Sequence, residues 1–106
     1  MSYRFMRVIV FFDLPSQTPE DLTHYRHFRK ALLENGFLMM QESVYCRLII
    51  TPSAEKTVIQ NLKKHKPPKG LVQVLMVTEK QFAGMEYIAG ESASDVIDSD
   101  ERLIVL

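Results

Sequence analysis

Asp13 is the residue in this chain best placed, by type and position, to do chemistry. It follows the run Val8-Ile9-Val10-Phe11-Phe12 and precedes Leu14-Pro15. The β-branched and aromatic run reads as a strand, and a carboxylate at a strand's C-terminal end, before a loop and a helix, stands where ligand sites gather. The same residue type also serves as a turn former that bonds nearby backbone. The sequence leaves both roles open. One carboxylate makes a poor cation site, because magnesium takes one or two carboxylates together with water and phosphate oxygens. A two-fold axis near the strand end would supply a second Asp13 from another copy of the chain. The two could then share one magnesium and activate a water against a phosphodiester.

The other reactive side chains give weaker signals. His24 and His27 are three apart on a helical stretch, but no Cys or carboxylate cluster at ligand spacing accompanies them, so they read as surface histidines. His65 lies among lysines and reads as solvated. Cys46 sits mid-strand with no histidine nearby in sequence, and reads as a buried thiol. The basic residues are more suggestive. Arg26, Arg29 and Lys30 share one arc of the first helix, Arg7 and Arg47 lie on strands, and Lys63, Lys64, Lys66 and Lys69 form a second cluster. Arginine forks and lysine point charges both suit phosphates, and such a set tracks a duplex backbone without reading bases.

The elements that must position these groups follow in order. Residues 3–12 read as a strand that Asp13-Leu14-Pro15 ends. Thr18 is a good N-cap, Pro19 suits the first helical position, and Glu20 and Asp21 favour the positive end of the helix dipole. Leu22, Tyr25, Phe28, Leu32 and Leu33 then recur at helical spacing, and Asn35-Gly36 stops the helix. Phe37–Met40 and Ser43–Ile50 read as two strands joined by a tight turn or bulge near Gln41-Glu42. Thr51-Pro52 opens a second helix with Val58, Ile59 and Leu62 inward, and Pro67-Pro68-Lys69-Gly70 follows it. Leu71–Val77 is a fourth strand, and residues 82–90 carry no clear pattern. The order is β-α-β-β-α-β, an α+β chain of ferredoxin-like type. Residues 1–90 form that domain. Residues 91–101 read as an acidic linker, and 102–106 as an extra C-terminal strand.

Both helices of such a fold cover one face of the sheet, so the other face should alternate with polar residues if it met water. Here Val8 to Phe12 and Val74 to Val77 are apolar at both parities. The simplest cover is a second copy of the chain by two-fold symmetry, with the terminal Leu103-Ile104-Val105-Leu106 strand seeking a sheet edge. The other arrangement is the acidic tail folded over its own sheet. That tail is too polar to cover so much apolar surface.

Length and charge are consistent with this. A chain of 106 residues is one domain, able to bury roughly 60–70% of its unfolded surface. A single cysteine allows no internal disulfide and fits a reducing compartment. No signal-peptide order opens the chain, and no apolar run nears membrane-spanning length. The expected location is therefore cytoplasmic. Net charge is zero, yet residues 1–70 carry 11 Lys/Arg against 6 Asp/Glu, while residues 71–106 carry 2 against 7. A basic body with an acidic tail still makes a local basic surface.

Three segments in order resemble the CRISPR-associated protein 2 family, of the kind found in type II systems. These are Phe11-Phe12-Asp13-Leu14-Pro15, the stretch Phe37–Tyr45 with Gln41-Glu42-Ser43-Val44-Tyr45, and Val77-Thr78-Glu79-Lys80-Gln81-Phe82. The resemblance spans residues 3–106. It implies a homodimer whose last strand completes the partner's sheet, and a scaffold role in spacer acquisition. There the dimer bridges the CRISPR-associated protein 1 integrase and holds a double-stranded DNA prespacer. It also implies a metal-dependent endonuclease acting on RNA or DNA, with Asp13 as catalytic magnesium ligand and Ser43 and Tyr45 lining the cleft. One position departs: some members carry an arginine where this chain has Met39. An RNA-binding module of the same fold without catalysis is the alternative. It requires a basic-glycine-aromatic strand motif that residues 43–50 lack.

Overall fold

The computed structural model describes residues 5–90; the acidic linker and terminal strand expected at 91–106 lie outside the described residues. The elements are β1 (Met6–Asp13), α1 (Pro19–Glu34), β2 (Leu38–Gln41), β3 (Val44–Ile49), α2 (Pro52–Lys64), β4 (Leu71–Thr78) and α3 (Glu79–Ala83). The four strands form one antiparallel sheet in the order β2-β3-β1-β4. This is the expected β-α-β-β-α-β arrangement, with β1 in the interior between β3 and β4.

Local chemistry sets the boundaries. Thr18 caps α1 through a reciprocal box: its hydroxyl accepts from the Asp21 N–H at 3.0 Å, and the Asp21 carboxylate accepts from the Thr18 N–H at 3.2 Å. Asn35 closes the helix, and Gly36 follows at φ +84°, a left-handed conformation that favours glycine. Pro52 stands in the first turn of α2, as expected, although the Thr51 side chain makes no capping bond. A register shift between Met39 and Gln41 marks the bulge that the short connection requires. The unassigned stretch after β4 contains α3. Thr78 and Gln81 form its capping box, a local signal that a five-residue helix offers only at its start.

Cross-strand partners share a sheet face. Val8, Val10 and Phe12 of β1, with Tyr45 and Ile49 of β3, point toward the helices and bury against Phe28 and Leu32 of α1 and Val58 and Leu62 of α2. Phe12 stands at the centre of an aromatic group, 5.3 Å from Phe28, 5.6 Å from Tyr45 and 5.9 Å from Tyr25 between ring centroids. Leu22 and Leu33 remain exposed despite their helical spacing, because they flank the stripe that meets the sheet.

The opposite face carries Arg7, Ile9, Phe11 and Asp13 of β1, Cys46 and Leu48 of β3, and Leu71, Gln73, Leu75 and Val77 of β4. Ile9 and Cys46 are buried at its centre, whereas Phe11 and Leu48 (each 37% exposed) and Leu75 (50%) face outward. Among the described residues β4 is an edge strand. An apolar groove of about 380 Å³ runs beside it, lined by Ile59, Leu62, Val72 and Val74 and rimmed by Lys63 and Lys66. Among the described residues no helix is long and apolar enough to cross a membrane.

Candidate nuclease site and basic surfaces

Asp13 ends β1, where its backbone pairs with Leu71 at the start of β4. Its side chain is exposed on the open sheet face and makes no hydrogen bond or ion pair to another described residue. The turn-former role would need such a bond. A shallow pocket of about 180 Å³ lies there, lined by Phe11, Phe12, Asp13, Ser43, Val44, Leu71 and Gln73. Ser43 is tied to the site by its backbone, since its carbonyl accepts from the Phe12 N–H at 3.0 Å. One carboxylate, one hydroxyl and one amide therefore line an otherwise apolar recess.

Gln73 is a site residue that the sequence reading passed over. It is the one polar side chain in Leu71–Val77, and that isolation within a strand was the available signal. Tyr45 requires a correction. It does not line the cleft: it is fully buried, and its ring packs into the aromatic core. Residues 43 and 45 share a parity, but the turn lies between Ser43 and the first residue of β3, so strand alternation does not carry Tyr45 to the pocket.

Among the described residues no three His, Cys, Asp or Glu side chains converge to hold a metal. A single Asp13 with the neutral oxygens of Ser43 and Gln73 falls short of a magnesium site. Asp13 does lie on the open face.

The basic residues divide into separate groups. Arg7 lies on the open face and is fully engaged. Its Nε and Nη2 donate to the two carboxylate oxygens of Glu79 at 2.7 and 3.0 Å, and its guanidinium sits 4.5 Å from the Phe82 ring centroid. The hydrogen bonds from Arg7 hold the Glu79 carboxyl below its usual range, against a smaller opposing effect of burial. Burial pushes the nearby Cys46 thiol up, with Arg7 opposing. The segment Val77–Phe82 thus clamps β1 to α3, and Arg7 does not stand with the other cations.

On the helical side, Arg29 Nε donates to the Tyr45 hydroxyl at 2.8 Å, and Arg47 Nη1 donates to the Asn35 carbonyl at 2.8 Å. Arg26 is exposed, and Lys30 lies 4.0 Å from Glu34. Lys63, Lys64 and Lys66 are exposed around the end of α2, where the His65 ring lies tilted, 5.6 Å from that of His27. Lys69 lies apart, with Leu14, Pro15, Asp21 and His24 around the loop that follows Asp13.

The family model described as CRISPR associated protein Cas2 matches residues 6–85. The chain belongs to the Cas2 family. It is 52% identical over 101 residues to the CRISPR-associated endoribonuclease Cas2 of Treponema denticola, an alignment covering 95% of this chain and 100% of the relative. With the protein of the same name from Streptococcus mutans serotype c, strain UA159, it shares 48% identity over 95% of this chain and 93% of the relative. The fold matches a crystal structure of Streptococcus pyogenes Cas2 at pH 6.5 with TM-score 0.61 and 19% identity, over 78% of this chain and 99% of that one. A second Cas2 crystal structure gives TM-score 0.60, also at 19% identity, over 85% and 92% of the two chains. Asp13, Ser43 and Gln73 all fall inside the span that the Cas2 family model covers.

Proposed function

We propose that this chain is a cytoplasmic, homodimeric nucleic-acid protein of CRISPR adaptation, carrying a magnesium-assisted phosphodiesterase site centred on Asp13. The observation that supports it best is a carboxylate with no partner among the described residues, at the end of the interior strand β1, pointing to a sheet face whose rim is exposed and apolar. A second copy packed on Phe11, Leu48 and Leu75 would cover that rim and bring Asp13 of the partner subunit near the first. The donor set then fits a divalent ion, with Ser43 and Gln73 beside it. Magnesium bound there would supply a Lewis acid for the phosphodiester and lower the pKa of its bound water. This chain's own residues present the carboxylate, and Phe11 lines one side of the recess. The name endoribonuclease carried by the relatives supports a nuclease reading, and the same site would accept an RNA or a DNA phosphodiester.

The scaffold role rests on different residues. Exposed Arg26, Lys63, Lys64, Lys66 and Lys69, together with Arg29 and Arg47, would hold the duplex of a prespacer while the dimer bridges the CRISPR-associated protein 1 integrase. Among the described residues β4 is an edge, and it and its apolar groove would suit an added strand such as the one expected at residues 102–106.

The deciding experiment compares wild type with Asp13→Ala in two assays: magnesium-dependent cleavage of RNA and duplex DNA, and spacer integration reconstituted with the cognate integrase. Loss of cleavage with integration retained is the expected result. Cleavage that survives Asp13→Ala overturns the site, and integration that proceeds without this protein overturns the scaffold.

A further inference from the structure

We infer that Tyr45 and the Asn35 carbonyl are positioning groups that hold Arg29 and Arg47 as a pair of aimed guanidinium forks for the phosphates of a nucleic-acid duplex. The inference rests on the reading that this chain binds nucleic acid, and it names the residues that would do so by design of the fold.

The argument begins with Tyr45. Its side chain is fully buried, its ring is 5.6 Å from Phe12, and Phe12 is wedged against Phe28. The hydroxyl oxygen is therefore fixed by the core. Arg29 spends Nε–H on that oxygen at 2.8 Å and has no other partner among the described residues. Both of its terminal amino groups are left for an external acceptor. Arg47 stands two residues after Tyr45 on β3, so the two side chains leave the same face about 7 Å apart. Arg47 gives Nη1 to the Asn35 carbonyl just past the end of α1. The Arg47 side chain lies alongside Gly36, where a Cβ would stand in ordinary contact at 3.5 Å from Nε.

The nature of the internal acceptors carries the argument. A phenol oxygen and a backbone carbonyl are neutral. They orient a guanidinium without cancelling its charge. Arg7 shows the contrary arrangement, with Nε and Nη2 spent on the two Glu79 carboxylate oxygens and the charge paired. Among the described residues neither Arg29 nor Arg47 forms an ion pair. A held fork loses less rotamer freedom when it meets a phosphate, and two N–H bonds to one phosphate are stronger than a lysine's point contact.

The test is an equilibrium titration of a fluorescein-labelled DNA duplex, followed by anisotropy at several KCl concentrations. Arg29→Ala should weaken binding about tenfold and reduce the salt slope by about one. Tyr45→Phe, whose ring refills the core, should weaken binding about threefold in the wild-type background and not at all in the Arg29→Ala background. Equal loss in both backgrounds overturns the positioning role, because Tyr45 would then act through the fold alone. If Tyr45→Phe fails to fold by circular dichroism, Arg29→Lys carries the test. The ammonium keeps the charge but lacks the fork, so Arg29→Lys should keep the wild-type salt slope yet bind more weakly than wild type, and wild-type affinity in Arg29→Lys overturns the proposal. Unchanged binding in Arg29→Ala and Arg47→Ala, with loss in a Lys63→Glu, Lys64→Glu, Lys66→Glu variant, also overturns it while the nucleic-acid reading stands. Unchanged binding in every variant sinks that reading as well.

Discussion

Gly70 lies directly against the backbone of Asp13: a Cβ at Gly70 would stand 2.6 Å from the Asp13 carbonyl oxygen and 2.7 Å from Leu14 Cδ2. Gly70 also holds φ at +96°, a conformation that favours glycine. The first residue before β4 is thus the surface on which the candidate catalytic residue's backbone rests. Gly70→Ala should cost about 2 kcal/mol or more, from the left-handed strain and the backbone overlap together. A melting temperature about 10 °C lower is the expected reading for a domain of this size. Cleavage should fall further than the unfolded fraction explains, because the Asp13 loop must shift.

The Arg7–Glu79 pair sets an acid limit. The Glu79 carboxyl is held below its unfolded value by the hydrogen bonds from Arg7. The stability it contributes is therefore complete above the unfolded pKa of about 4.3. It is lost as pH falls through the lower folded value. Both partners are partly exposed, so the contribution at neutral pH is about 1 kcal/mol after solvent screening. Thermal melts of Glu79→Gln should match wild type at the acid end of that window and lie below it at pH 7. Parallel curves at all pH values would show that the pair adds nothing.

Leu75→Arg tests the open sheet face. Leu75 is half exposed and pairs with Ile9 of β1. Wild type should sediment as a dimer at micromolar concentration and the variant as a monomer, with the helical content unchanged. Monomeric wild type would remove the shared-carboxylate arrangement.

Thr18→Ala removes the hydroxyl that accepts the Asp21 N–H while leaving the buried core untouched. A loss of about 1 kcal/mol by urea denaturation is expected. Because α1 carries Arg26 and Arg29, the duplex affinity of the folded variant reports how far the cap controls their placement.

The Cys46 thiol is buried, and burial raises its pKa. It should react with Ellman's reagent only slowly in the native protein and promptly in denaturant. Prompt native reaction would show that the centre of the open face is accessible to the reagent.

Much of the scaffold is written in local residue choice. Thr18-Pro19 and Asn35-Gly36 bound α1 because a cap and a left-handed exit are properties of a few adjacent residues. The order β-α-β-β-α-β follows from the alternation of such signals. The prominence of Asp13 was equally legible, since a lone carboxylate after an apolar run is visible without coordinates. The extent of α3 was not, because its five residues complete no amphipathic stripe and its docking depends on Arg7, 72 positions earlier in the chain.

What the sequence determined alone was the element order, the helix ends, the two-sided apolar character of the strands and the strand-end carboxylate. These depend on neighbours within a few residues. Only the tertiary structure decided the company each side chain keeps. It sent Tyr45 into the core and Arg7 onto Glu79, and it set Gln73 beside Asp13 and Arg29 on a buried phenol. Those outcomes depend on which strands become neighbours and which face meets the helices, and residue spacing along one strand carries no record of its partner across the sheet.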